Sequence, residues 1–353
     1  MKIGLYGYEG AGATTLFNAL TGQEVATGFG SGKKKTHIGT VKVPDKRIDR
    51  LSALYQPKKT IFAELVFSDF PAAGKDAGRG KALSNVAEAK AVDILALVIG
   101  SFHGEWMSEE PNPALETENL LTELVLSDLD QVERFMERQK KLKSSTQDPF
   151  IQRAMEKALP HLSDGKSLRT LEFTEEEMQH IRGFSFLSIK PSIVAINVDE
   201  DDYGKPIPPE VLSVTSAHGV EPFLLSAKVE EEISRLSSED QAMFLDDLGV
   251  DEPVSGRFIR AAYDLANLMS FFTVGPDEVR SWTIRKNTKA KQAAGTIHSD
   301  LEKGFIRAEV FSYDDIIEVE GNEAQLKKLG KLRLEGKEYE VKDGDIVHIR
   351  FNI

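Results

Sequence analysis

The sequence predicts an α/β protein with a mostly parallel sheet covered by helices on both faces, a helical insertion, and a smaller α+β module at the end. Apolar runs that alternate with helical segments, such as "MKIGLYGY" and "DILALVIGSF", are typical of parallel strands buried on both faces. From about Glu116 to Arg182 the pattern is helical and charged instead. After Leu268 alternating strands dominate, which favours a compact mixed sheet.

The composition indicates a globular chain of more than one domain. Its 353 residues exceed the size of about 250 to 300 residues at which single cores stop growing. The chain has no cysteine and no long uncharged apolar stretch, so we expect no disulfide, no membrane contact and a cytoplasmic location. A net charge of −13 argues against a protein that coats nucleic acid indiscriminately. Residues 268–353, with 14 Lys/Arg against 15 Asp/Glu, are the better candidate for contact with RNA.

Local patterns predict the individual elements. In order, the first part contains the strand "MKIGLYGY", the helix "ATTLFNALTG", a loop over residues 23–40, the strand "TVKVPD", the helix "KRIDRLSALY", the strand "TIFAELVFSDFP", a glycine-rich loop, a helix to about Val92 and the strand "DILALVIGSF". The sheet resumes with "PSIVAINVDEDD" and "EPFLLSAK". We therefore predict a first domain over residues 1–115 and 186–267, a coiled-coil-like helical hairpin inserted at 116–185, and a C-terminal domain at 268–353.

The loop after the first strand has the pattern of a phosphate-binding loop. The motif G-x-x-x-x-G-K-[ST] matches Gly7, Gly12 and Thr14, with Ala13 in place of the lysine. A glycine-rich turn before a helix directs backbone N–H groups and the positive end of the helix dipole at a phosphate. We predict that the phosphate-binding residues are Gly7, Gly10, Gly12, Ala13, Thr14 and Thr15.

The missing lysine changes the expected chemistry. Lysine at this position contacts the β- and γ-phosphates and neutralises charge in the transition state, so Ala13 predicts weaker binding and a larger loss of hydrolysis. Thr14 remains suited to coordinate Mg²⁺. The same glycines would also suit a tight turn that binds nothing.

Two later motifs extend the site. "ELVFSDFPA" places Asp69 at the end of a strand, where it could hold Mg²⁺ through a water molecule, and Ala72 where a D-x-x-G motif has glycine. "INVDED" offers Asn197 and Glu200 as N-x-x-E after a strand, and the glutamate makes adenine an alternative to guanine. In "LSAK", the backbone around Ser226 and Ala227 is predicted to pack over the base.

With these motifs on one chain, the sequence resembles the YchF/Obg-like ATPase family of Obg-related P-loop proteins over essentially its full length. The stretches that carry the resemblance include "VPDKRIDRLSALYQPKK", "NPALETENLLTELVLSDLDQVERFMERQKK", "SFLSIKPSIVAINVDED", "AYDLANLMSFFTVGPDEVRSWTI" and "AGTIHSDLEKGFIRAEVFSYDD". The resemblance implies a GTPase-like domain, the inserted helices and a C-terminal TGS domain with a ubiquitin-like β-grasp fold. It also implies a preference for ATP over GTP, Mg²⁺ as cofactor, association with the ribosome or its RNA through the TGS and helical parts, and Thr36 as the switch-loop threonine.

The chain departs from that family at the phosphate end. The family loop reads G-x-x-N-V-G-K-[ST], and both its asparagine and its lysine are absent here. A histidine that family members carry in the strand "DILALVIGSF" falls on Leu97, and His103 is expected in the following loop. We therefore expect a divergent nucleotide-binding protein with weak or absent hydrolysis.

Two alternatives stay open at this point. The chain could be a pseudo-GTPase that binds no nucleotide and acts as a protein or RNA scaffold. A lysine from elsewhere could also reach a phosphate in place of Ala13, and the candidates for that role are Lys33, Lys34, Lys35, Lys75 and Lys81. Among the C-terminal strands, the candidates for contact with RNA are Arg307, Lys331, Arg333, Lys337 and Arg350, although alternating charged residues also keep a half-exposed strand soluble.

Overall fold

The computed structural model describes residues 1–27, 35–71, 86–103, 110–140 and 148–352. The chain divides into two compact units. One comprises Met1–Val41 and Val66–Phe258, and the other comprises Lys42–Leu65 and Ile259–Ile353.

Within those residues the secondary structure is as follows. The strands are β1 Lys2–Gly7, β2 His37–Lys42, β3 Lys59–Ile61, β4 Glu64–Asp69, β5 Ile94–Ser101, β6 Ser192–Val198, β7 Glu221–Leu225, β8 Leu268–Thr273, β9 Glu278–Arg285, β10 Phe305–Ser312, β11 Arg333–Glu335 and β12 Asp345–Phe351. The helices are α1 Ala13–Thr21, α2 Lys46–Tyr55, α3 Val86–Ala91, α4 Pro113–Gln139, α5 Pro149–Ser163, α6 Glu175–Ile181, α7 Pro209–Ala217, α8 Ala227–Arg235, α9 Ser238–Asp247, α10 Val254–Leu265, α11 Ala290–Ile297, α12 Ser299–Lys303, α13 Tyr313–Glu318 and α14 Glu323–Lys328.

A six-stranded sheet with the order β2-β4-β1-β5-β6-β7 forms the centre of the first unit. The pairs β1–β4, β1–β5, β5–β6 and β6–β7 are parallel, so the predicted parallel sheet is confirmed. β6 is buried along its whole length, as expected of a strand covered on both faces. Because parallel strands end at the same edge, the residues that follow β1, β4 and β6 lie along one edge of the sheet.

Helices α4, α5 and α6 form the helical insertion that the sequence predicts. They enclose a small apolar core of their own, which includes Val125, Val132, Ala154, Met155, Leu162 and Ile181. Thr174 begins α6 with a capping box to Glu177. The buried Asp128 of α4 accepts hydrogen bonds from the backbone N–H groups of Leu187 (2.8 Å) and Ser188 (2.7 Å). This carboxylate ties the insertion to the chain that returns to the sheet.

A second six-stranded sheet, with the order β11-β10-β12-β8-β9-β3, forms the centre of the second unit. β8 and β9 are antiparallel, β10 and β12 are antiparallel, and β8 pairs with β12 in parallel. On one face, Ala290 and Ala293 of α11 pack against Ala308 and Val310. The C-terminal residues therefore form the compact α+β module that was predicted, while its assignment as a TGS domain stays a prediction.

The structure corrects one predicted strand. "TIFAELVFSDFP" is not continuous, because it is divided into β3, which pairs with β9, and β4, which pairs with β1. Residues 42–65, which the predicted boundaries assign to the first domain, belong to the second unit. The reason is that Ile48 and Leu51 of α2 pack against Phe272 and Phe311. The periodicity of apolar residues shows which face of a helix is buried, but it does not show which sheet that face packs against.

Candidate nucleotide site

The loop between β1 and α1 has the backbone of a tight glycine turn. Gly10 and Gly12 have φ angles of 87° and 91°, in the left-handed region that favours glycine. A Cβ atom on Gly7 would lie 2.4 Å from the carbonyl oxygen of Val98. Because no side chain caps α1 at Gly12, the first N–H groups of the helix face the loop. The backbone from Gly7 to Thr15 therefore suits the predicted role, in which its N–H groups donate hydrogen bonds to a phosphate.

Asn197 joins this loop to the first residue of α8. It lies in β6 beside Gly100 and Leu225 and is 5% exposed. Its Nδ2 donates to the carbonyl oxygen of Ala11 (3.0 Å), and its Oδ1 accepts from the backbone N–H of Ala227 (2.8 Å). One side chain thus connects the predicted phosphate-binding loop with the predicted base-side loop.

The close approach of Asn197 also explains the second glycine of the motif. A Cβ atom on Gly12 would lie 2.1 Å from Nδ2 of Asn197, far inside contact distance. Position 12 therefore needs glycine for two reasons, its positive φ angle and the amide beside it.

The remaining base-side residues lie around the start of α8. Ser226 is buried, and its hydroxyl accepts from the N–H of Val229 (3.5 Å) at the beginning of the helix. Glu200 is more than half exposed and forms an ion pair with Lys228 (3.8 Å). Its carboxylate is therefore accessible to a ligand that enters from solvent.

The two predicted Mg²⁺ ligands lie at the end of β4 and at the beginning of α1. Asp69 is the last residue of β4, is fully buried, and pairs in register with Leu5, two residues before Gly7. Thr14 is the second residue of α1. A carboxylate and a hydroxyl are hard oxygen donors, which fit Mg²⁺. Across the described ranges no cluster of three or more His, Cys, Asp or Glu could hold a metal ion, and the assignment of Asp69 and Thr14 to Mg²⁺ stays a prediction.

The residues predicted for switching and for catalysis are only partly described. Thr36 is half-buried and immediately precedes β2. Ala72 and the lysines at positions 33, 34, 75 and 81 lie outside the described residues, and Lys35 is exposed. Leu97 is buried in β5 within the apolar core, where it offers no polar group to a water molecule. His103 follows β5, and its backbone N–H donates to Asp199 (3.1 Å), so it lies beside the N-x-x-E motif.

Sequence reasoning missed one contact of the loop. The hydroxyl of Tyr8 donates to Oε1 of Glu123 in α4 at 2.7 Å. Burial raises the pKa of the Glu123 carboxyl, and the hydrogen bond from Tyr8 partly offsets that rise. The two residues are 115 positions apart, and no local pattern relates them.

The fold and the site together define a class of protein. A parallel sheet, a glycine loop that leads into α1, and an asparagine at the end of β6 are the parts of a P-loop GTPase fold. Comparison with solved structures agrees, because the chain superposes on the Schizosaccharomyces pombe YchF GTPase with a TM-score of 0.86 at 28% identity, covering 99% of this chain and 97% of that one.

Comparison with known sequences identifies the family. The chain is 38% identical to the ribosome-binding ATPase YchF of Pasteurella multocida (100% of this chain, 99% of the relative) and 36% identical to that of Bacillus subtilis (100% of each). Residues 268–352 match the YchF-GTPase C-terminal family model, described as a protein of unknown function (DUF933). The chain therefore belongs to the YchF family. No helix in the described part of the chain is long and apolar enough to cross a membrane.

Proposed function

We propose that this protein binds a purine nucleotide with Mg²⁺, prefers ATP over GTP, hydrolyses it weakly or not at all, and associates with the ribosome. The observation that carries the proposal is the double hydrogen bond of Asn197, which connects the loop at Ala11 with the backbone at Ala227. These two bonds hold the predicted phosphate-binding loop and the predicted base-side loop in position relative to each other. Its relatives from Pasteurella multocida and Bacillus subtilis are named ribosome-binding ATPases.

The proposed binding mode uses backbone donors at the phosphate end. The N–H groups of the loop and of the first turn of α1 receive the phosphate oxygens. Thr14 would coordinate Mg²⁺ directly and Asp69 through water. The bound ion would supply positive charge that neutralises the phosphates.

At the base end, Glu200 supports a preference for adenine. A carboxylate accepts hydrogen bonds but donates none, so it could pair with the amino group of adenine or with the N–H groups of guanine. The preference for adenine rests on the longer reach of glutamate, which does not pair with the guanine edge in the geometry of the aspartate that GTPases carry at this position. The buried Ser226 and Ala227 would form the wall against which the base packs.

Weak hydrolysis follows from side chains that lack the required groups. Ala13 occupies the position of the phosphate-contacting lysine, and loss of such a preorganised charge costs about 3 to 4 kcal/mol of transition-state stabilisation. Leu97 is buried and apolar, so it cannot orient an attacking water molecule. Binding, which uses backbone amides and Mg²⁺, should be affected less than hydrolysis.

We propose that ribosome association involves the end of the second sheet at which β10 begins and β12 ends. Arg307 and Arg350 are exposed and lie opposite each other on β10 and β12, and Arg350 forms an ion pair with Glu309. Like charges in directly opposed positions destabilise a sheet. A phosphate bound across both arginines would offset that cost, which makes this end a candidate for rRNA contact.

A second function remains in competition with the first. Ala13 and the loss of the family histidine also suit a protein that binds no nucleotide and acts as a scaffold for a protein or RNA partner. In that case Asn197 would only brace the fold.

Calorimetric titration of nucleotide-free protein with ATP, GTP, ADP and GDP in the presence of Mg²⁺ tests the proposal. We expect saturable binding, tighter for ATP than for GTP. Failure of all four to bind at millimolar concentration would exclude the nucleotide site and favour the scaffold. Equal or tighter binding of GTP would overturn the assigned role of Glu200.

A further inference from the structure

Tyr8 connects the phosphate-binding loop with the helical insertion. Tyr8 follows Gly7 in the loop and is half-buried, and its hydroxyl donates to Oε1 of Glu123 at 2.7 Å. Glu123 lies in α4, whose neighbouring residues Leu120 and Leu124 belong to the main apolar core. The acceptor is therefore held by a well-packed helix rather than by a mobile surface side chain.

The bond from Tyr8 to Glu123 restricts a loop that is rich in glycine and would otherwise have much conformational freedom. Gly10 and Gly12 both need left-handed backbone angles, and glycine loses more conformational freedom than other residues when it is fixed. A site in which backbone amides bind the phosphates gains affinity when those amides are fixed beforehand. Because Ala13 contributes no charge, the orientation of the amides matters more here than in a loop with lysine.

The surroundings of Glu123 differ from those expected of a residue that serves only to stabilise the fold. Its second oxygen, Oε2, is buried and has no hydrogen-bond partner among the described residues. A buried carboxylate oxygen without a partner costs stability. An apolar residue would avoid that cost, so the carboxylate calls for an explanation beyond packing.

We propose that Glu123 is a positioning residue for the phosphate-binding loop, acting through the hydroxyl of Tyr8 to hold the loop ready for a polyphosphate. This inference rests on the proposed function. Asn197 holds the loop from β6 through Ala11, and Glu123 holds it from α4. The loop is thus fixed at two points, and one of them lies in the helical insertion.

The test compares ligands with and without phosphates. ATP and adenosine affinities are measured for the wild type, Tyr8→Phe, Glu123→Ala, Glu123→Gln and the Tyr8→Phe/Glu123→Ala double variant. Tyr55→Phe is the matched control, because Tyr55 also donates to a glutamate, Glu323, at 3.0 Å, but in the second unit.

If Glu123 positions the loop, Tyr8→Phe and Glu123→Ala each weaken ATP binding about five- to tenfold, the effect of losing part of a hydrogen bond to a charged group. Adenosine binding is unchanged, the double variant is no weaker than either single variant, and Glu123→Gln, which keeps the acceptor, binds ATP like the wild type. A merely structural role would lower ATP and adenosine affinity together, and that result would overturn the inference, as would additive effects in the double variant.

A ligand-free measurement separates this inference from the proposed function. Amide hydrogen exchange of the nucleotide-free protein should be faster at residues 10–15 in Tyr8→Phe and Glu123→Ala than in the wild type or Tyr55→Phe. Unchanged exchange would overturn the inference even if ATP binds. If the wild type binds no nucleotide, the proposed function fails and this role of Glu123 fails with it.

Discussion

The side chain of Asn197 donates to the carbonyl oxygen of Ala11 and accepts from the N–H of Ala227 at the same time. The two partners are separated by most of the first unit in sequence, yet both bonds come from one amide. A shift of β6 relative to the loop would break the bond to Ala11, and a shift relative to the start of α8 would break the bond to Ala227. This makes Asn197 the residue whose loss should affect the site most.

Replacement of Asn197 by alanine should lower both stability and ATP affinity. Loss of a buried partner costs about 1 to 3 kcal/mol, and the freed loop should bind ATP at least tenfold more weakly. Asn18→Ala is the matched control, because Asn18 is also buried and makes two backbone bonds, both to Val25 (2.9 and 3.0 Å). Thermal unfolding should detect both variants, while calorimetry should detect an affinity change only in Asn197→Ala. Equal loss of affinity in the two would show that Asn197 has no specific role in binding.

Replacement of Ala13 by lysine should restore part of the missing phosphate contact. Ala13 is the first residue of α1 and is half-buried, so a lysine there can extend along the loop. ATP binding should tighten by about 1 to 3 kcal/mol, the range for hydrogen bonds to charged groups. Ala13→Met, which adds similar bulk without charge, is the control for both calorimetry and phosphate release. A lysine variant that binds no better than the methionine variant would show that this loop does not hold phosphate.

Asp128 should make the stability of the insertion depend on pH. Burial raises the pKa of its carboxyl from the ordinary 3.8 to about 6, although its bonds with Leu187 and Ser188 act in the opposite direction. The folded protein therefore binds this proton more tightly than the unfolded chain does. The resulting stabilisation is present below about pH 4 and is lost as the pH rises to about 6, by up to about 3 kcal/mol.

The comparison with Asp128→Asn isolates this contribution. The variant does not titrate, and its amide nitrogen faces a backbone donor in place of one carboxylate oxygen, which costs about 1 to 3 kcal/mol. Denaturant unfolding between pH 4 and 7 should show the advantage of the wild type shrinking as the pH rises. A difference that stays constant or grows with pH would contradict the raised pKa of Asp128.

Charge reversal at Arg307 and Arg350 should weaken ribosome association. Cosedimentation of the Arg307→Glu/Arg350→Glu variant with ribosomes should show at least tenfold lower affinity and a salt dependence that is flatter by about one for each phosphate that the variant no longer binds. Lys46→Glu/Arg50→Glu is the matched control, because both residues are exposed on α2 in the same unit. A similar loss in the control would indicate a general effect of net charge rather than a contact at β10 and β12.

Local sequence patterns were sufficient for the parallel sheet and the helical insertion, because buried strands and helix faces leave a periodicity that can be read residue by residue. The glycine turn at Gly10 and Gly12 was predictable for a similar reason, since positive φ angles restrict the residue type. The bond from Tyr8 to Glu123 and the packing of α2 on the second sheet were not predictable. Both depend on which surfaces meet in space, and many pairs of surfaces satisfy the same pattern.

The packing of α2 has a consequence for how this chain folds during synthesis. Ile48 and Leu51 leave the ribosome long before Phe272 and Phe311, the residues against which they are buried. The apolar face of α2 must therefore remain exposed to solvent, or be covered by a chaperone, until nearly the whole chain has emerged. For the same reason, a fragment that begins at residue 268 would expose the apolar surface that α2 covers in the full chain. Such a fragment should be expressed together with residues 42–65 if it is to stay in solution.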